Sequence, residues 1–123
     1  LLVDVLGLLL EVVVTKANVP EREGAKSLLQ LALGHHFERL RLIWADGGYR
    51  GTLIAWVEET FGWKLEIVEK LEGQVGFQVL PRRWVVERTF AWAARFRRLA
   101  RDYERLAATL AGYHWLAVAV LAP

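Results

Sequence analysis

The residues best placed to do chemistry in this 123-residue chain are two carboxylates, Asp46 and Glu87. Asp46 ends a short apolar run (Leu42, Ile43, Trp44, Ala45) and is followed at once by Gly47 and Gly48. Apolar runs of this length bounded by glycine read as buried strands, typically of a parallel sheet. Ligands of open α/β sheets sit beyond the carboxyl ends of such strands, which is where Asp46 falls. The two glycines lack Cβ, so the backbone can turn sharply and a bulky ligand can come close. Glu87 lies one turn into an arginine-rich segment, with Arg83 at i−4 and the small Ala91 and Ala94 at i+4 and i+7. Arg83 can hold a phosphate or pair with the carboxylate. Two carboxylates converging on a cleft beside a basic helix suit hard divalent cations, which prefer oxygen ligands. Paired metals roughly 3.5–4 Å apart serve phosphodiester cleavage by activating the attacking oxygen and stabilising the leaving one. The plainer alternative for Glu87 is an ordinary ion pair with Arg83.

Weaker candidates surround these two. Tyr49 and Arg50, just beyond the glycines, could touch DNA or serve only as a structural aromatic and its neighbour. His35 and His36 follow Gly34 and read as solvent-facing loop residues, while His114 reads as packed or at the edge of the last helix. No histidine spacing suggests zinc, and the absence of cysteine excludes disulfides and thiolate metal sites. Trp84 and Trp92 read as core rather than as platforms for bases.

The bulk numbers allow one domain with a single core. A hydrophobic fraction of 54% with six tryptophans argues for a packed globule. Net charge is only +2, yet Arg82, Arg83, Arg88, Arg95, Arg97, Arg98, Arg101 and Arg105 crowd one segment, interleaved with aromatics. Arginine suits bidentate phosphate contact, so this cluster points to nucleic acid. The alternative is a solvated helix face. Neither apolar terminal stretch reads as a signal or a membrane span, so no membrane partner is expected. The chain opens on Leu1 inside an apolar run, without methionine, and is read as a piece of a longer protein.

These candidates must be held by a short list of elements. Leu1–Val5 and Leu8–Thr15 are predicted strands of a hairpin turning at Leu6-Gly7. Pro20 opens a helix that buries Ala25, Leu28, Leu29 and Ala32 and stops at Gly34. After the central strand, a helix over about Thr52–Phe61 points Leu53/Ile54, Val57 and Phe61 inward, and Gly62 ends it. Trp63–Val68 is a strand, Lys70–Gly76 a loop and Phe77–Leu80 extended. Pro81 opens a long helix to about Leu99 with Val85, Trp92, Phe96 and Leu99 as its apolar stripe. The last helix runs over about Glu104–Val120, with Leu106, Leu110, Tyr113 and Ala117 on one face. A hairpin feeding βαβ units gives an α/β fold, one mixed sheet covered by helices.

Three blocks then carry a resemblance: Leu1–Thr15 (LLVDVLGLLLEVVVT), Trp44–Tyr49 (WADGGY) and Leu80–Arg105 (LPRRWVVERTFAWAARFRRLARDYER). In this order and separation they resemble the C-terminal part of DDE transposases of bacterial insertion sequences. The resemblance covers residues 1–123 and implies an RNase H-like catalytic domain. It implies three acidic residues binding two magnesium or manganese ions, cleavage at the transposon ends, and strand transfer by the freed 3′-hydroxyl. Asp46 matches the second acid and Glu87 the third. The helix follows the family signature Tyr-x2-Arg-x3-Glu-x6-Lys in part. Arg83 and Glu87 fall in place, Leu80 replaces the tyrosine, and Ala94 replaces the lysine with Arg95 next to it.

The first acid of the family lies on a first strand upstream of the opening hairpin, so the domain is expected to be incomplete. Asp4 is a tempting stand-in, but it would sit by the Leu6-Gly7 turn, at the far end of its strand from Asp46, and reads as a turn residue. With one carboxylate missing, the isolated chain is expected to have little or no activity. Without that strand the sheet would close the gap differently, expose an edge or form a homodimer. DNA is the implied partner, held by Arg83, Arg88, Arg95, Tyr49 and Arg50, in the bacterial cytoplasm at the nucleoid. A non-catalytic DNA-binding remnant, a purely structural domain, or another RNase H-like nuclease are the alternatives.

Overall fold

The computed structural model describes residues 1–35, 37–69, 73, 75–76 and 82–121, and for Arg83 the backbone alone. The calls on His36, on most of the Lys70–Gly76 loop, on Phe77–Pro81 and on the Arg83 side chain lie outside the described residues.

The chain begins with a hairpin of β1 (Leu2–Val3) and β2 (Leu9–Glu11), antiparallel and shorter than its apolar runs. Asp4 makes the turn. Its Oδ1 accepts from the Leu6 N–H at 2.8 Å and the Leu8 N–H at 2.9 Å, the role that its position implied. Helix α1 (Glu21–Leu33) starts after Pro20 and ends at Gly34, with two acidic residues in the first turn where the helix dipole favours them. Leu29 and Ala32 are buried, and Ala25 and Leu28 pack against the core.

β3 (Leu42–Ala45) leads through a 3₁₀ turn (Gly47–Tyr49) into α2 (Thr52–Phe61), and β4 (Lys64–Ile67) returns parallel to β3. This βαβ unit is held by Leu53 and Val57, the most deeply buried large side chains of α2, against Ile43 and Leu65. Gly62 adopts the left-handed cap that stops α2. Beside it Phe61 stacks on Trp63, with ring centroids 4.6 Å apart.

Three expectations are corrected. Among the described residues the strands form two separate two-stranded sheets, β1–β2 and β3–β4, rather than one mixed sheet. The long helix is α3 (Arg83–Ala93), which stops well short of Leu99. Tight turns follow, and they let Arg98 reach Glu104 at 3.2 Å and lie 5.6 Å from the ring centre of Tyr113 on α4 (Ala107–Leu121). The deeply buried stripe of α3 is Val85, Thr89 and Ala93, at i, i+4 and i+8, and Trp92 is only partly buried. Small side chains there let α3 close on the hairpin turn. The Thr89 hydroxyl donates to the Gly7 carbonyl at 2.7 Å, with the Val85 carbonyl at 3.1 Å as its second acceptor. Arg88 donates to the Leu6 carbonyl of the same turn and lies over the rings of Trp84 and Trp92. Trp84 is 42% exposed, so these tryptophans frame an arginine more than they fill a core.

Gly7 has φ +81°, and a Cβ added there would meet Thr89 Oγ1 at 3.0 Å. Gly7→Ala is therefore expected to destabilise the chain by about 1–3 kcal/mol in urea unfolding. An unchanged midpoint would show that the turn does not hold α3 as described.

Candidate active site

Asp46 stands at the end of β3, where it caps the 3₁₀ turn, its Oδ1 accepting from the Gly48 N–H at 3.0 Å. That bond fixes the carboxylate through one oxygen. The backbone turns tightly at Gly47–Tyr49, as the two glycines imply, and Gly51 takes a positive φ of 98° before α2. Gly48 serves a close approach. A Cβ there would lie 2.8 Å from Glu21 Oε2 and 3.2 Å from Asp46 Oδ1. The missing side chain thus lets the first turn of α1 bring a second carboxylate beside Asp46.

Glu87 projects from α3, and both Asp46 and Glu87 line one cavity of about 470 Å³. Its walls come from β1, α1, β3 and α3, and its floor is apolar, with Leu29, Ile43 and Leu53. Asp46 and Glu87 are themselves exposed, at the polar rim. The sequence reading has both carboxylates facing one cleft, and both are on this lining; Glu21, Trp44 and Arg82 on the same lining were not expected.

The other named residues divide. Tyr49 lines the cavity, and its phenol is pushed above the ordinary tyrosine value, first by burial and then by the Glu21 and Asp46 carboxylates, which disfavour a neighbouring phenolate. Arg50 is exposed and ion-paired with Glu69. Arg95 is exposed just past the end of α3. Arg88 faces the hairpin turn, so the arginine cluster is not a single face. His35 is exposed to solvent, as its loop position implies, and also binds the buried Glu11 carboxylate at 2.8 Å. No motif in the sequence marks that long-range pair.

Arg82 precedes α3 with φ 76°, the left-handed conformation that costs a side chain on the order of 1 kcal/mol. Its guanidinium carbon lies 4.4 Å from the ring centre of Trp44, a favourable cation–π placement.

The sequence profile described as Transposase DDE domain matches residues 1–121. The chain belongs to this family. A Burkholderia cepacia protein named as a transposase for insertion sequence element IS402 is 36% identical over 74 residues, 60% of this chain. The match covers 35% of that relative's length. No solved structure matches the chain. For a DDE transposase domain the donor chemistry of the cavity is apt, because carboxylate oxygens suit the hard divalent ions such domains generally use. Among the described residues, however, no group of three His, Cys, Asp or Glu side chains is close enough to hold a metal. Asp46 and Glu87 supply oxygen donors of that kind on the lining of one cavity. Also among the described residues, no helix is long and apolar enough to cross a membrane.

The raised Tyr49 pKa has a sign for stability. The folded state holds the phenol proton where the unfolded chain releases it, so this contribution is whole below the ordinary tyrosine pKa and is lost as pH rises from there through the raised folded-state value. Urea unfolding at rising alkaline pH should show this loss, and Tyr49→Phe should flatten it. Identical alkaline slopes would contradict the Tyr49 environment.

Proposed function

We propose that this chain carries two of the acidic ligands of a transposase active site, which cuts DNA at transposon ends and joins the freed 3′-hydroxyl to target DNA. The observation that supports this most is that Asp46 and Glu87, distant in sequence, line one cavity with a cation, Arg82, at its edge. Asp46 and Glu87 would hold Mg²⁺ or Mn²⁺, two ions in the complete site. Bound there, the ions would supply activation of the attacking oxygen and stabilisation of the leaving oxygen.

The chain's own residues do the positioning. Asp46 is steadied by the Gly48 N–H, and Glu87 is set by the contacts of α3 with the hairpin turn. Arg50, Arg83 and Arg95 would hold DNA phosphates, with Tyr49 walling the cleft. Arg88 can reach DNA only with donors not already given to the Leu6 carbonyl, so in this reading its larger part is to steady α3.

The two small sheets would be parts of one RNase H-like sheet, completed by a first strand that brings the third carboxylate. A chain lacking that strand would bind DNA and metal weakly and cleave little, and its free strand edges would favour a homodimer. The absence of a three-ligand group among the described residues favours this partial activity, and with it the second reading, a DNA-binding remnant.

The test is nicking of supercoiled DNA bearing the element's ends, in Mg²⁺ or Mn²⁺, by the full reading frame that encodes this chain. Asp46→Asn or Glu87→Gln should each lower the rate by more than about 100-fold, since even residues that only orient metal ligands cost 10–100-fold. A rate unchanged by both substitutions would leave the DNA-binding remnant as the better account.

A further inference from the structure

Three carboxylates, Glu21, Asp46 and Glu87, line the cavity, and a DNA strand entering it brings more negative charge. Among the described lining residues Arg82 is the one with a cationic side chain. Its side chain is 52% exposed, and among the described residues its ion pair is a long one, to Glu66 at 3.7 Å. Ion pairs this exposed contribute little, so the guanidinium can exchange Glu66 for a better anion with small loss. Its position is set by Trp44 on the strand that ends at Asp46, so one rigid element places both the carboxylate and the cation. Among the described residues the Trp44 indole N–H is buried without an acceptor. The left-handed backbone at Arg82 is one that glycine would adopt freely, yet a long cationic side chain stands there.

We propose that Arg82 holds a phosphate of the DNA strand lying in this cleft, trading its Glu66 contact for a bidentate phosphate contact beside Asp46 and Glu87. The planar fork of arginine matches two phosphate oxygens, and the indole beneath limits the orientations it must give up on binding. This rests on the DNA reading above and picks out of the arginine cluster one residue, Arg82, that the signature match does not name.

The experiment is fluorescence anisotropy of this chain with a labelled 20-base-pair duplex across a KCl series. Each phosphate contact contributes about 0.9 to the slope of log K against log salt. Arg82→Gln should reduce the slope by about 1 and weaken binding uniformly across sequences. Arg82→Lys should keep the slope, because the charge remains, while lowering affinity. Arg82→Gly fits the left-handed backbone without strain, so it should melt no lower than the parent chain and still lose the same slope. Glu66→Gln should tighten binding, and that gain should shrink in the Arg82→Gln background. A steep slope for the parent chain that Arg82→Gln and Arg82→Gly leave unchanged would overturn this inference and spare the DNA reading. A parent chain with no salt-dependent binding would overturn both.

Discussion

The hydrogen bond from the Thr89 hydroxyl to the Gly7 carbonyl joins residues 82 apart in sequence, and the placement of Glu87 depends on it. A hydroxyl has one proton to give, and an acceptor left bare in a buried place costs about 1–3 kcal/mol. The constraint is strong because Thr89 is only 3% exposed. Val85 and Ala93, one helical turn to either side, are buried on the same face, and Arg88 adds a second donor to the turn. Together they fix the rotation of α3 about its axis. Glu87 is thereby carried to the cavity rim that Asp46 reaches from β3.

The other half of the site has a different origin. Asp46 is positioned by the βαβ unit, whose four-residue register between β3 and β4 is set by Leu53 and Val57 packing onto Ile43 and Leu65. A parallel pair this short gains little from its own hydrogen bonds, and the packed face of α2 supplies most of its stability. The cavity thus lies between two units, the hairpin with α3 and the β3–α2–β4 unit, with α1 against both.

Much of this was legible in the sequence wherever the signal was local. Pro20 and Gly34 bracket α1, Gly62 ends α2, and the apolar run before Asp46 is β3, because caps and turn residues act within one helical turn. The family was legible as well, from three sequence blocks in order. What escaped was long-range or counter to hydrophobic pattern. Thr89 and Ala93 are a polar and a small residue, so the hydrophobic pattern runs through Trp92 and Phe96, which are only partly buried. The end of α3 at Ala93 carries no glycine or proline, and tight turns over residues 94–100 follow it. The pairing of Glu11 with His35, and of Arg82 with Trp44, joins elements whose approach no local rule encodes. The single sheet was inferred from element order, yet order alone does not say which strand edges meet.

At the centre of the account stands one claim, that Asp46 and Glu87 act on the same divalent ion. Mn²⁺ broadens the amide signals of nearby residues in NMR spectra of the isotopically labelled chain, which tests it directly. The expected result is that Gly47, Gly48 and the Glu87 region broaden together along one saturation curve, and that Asp46→Asn removes both effects. Broadening of either segment without the other, or persistence of the Glu87 effect in Asp46→Asn, would contradict it.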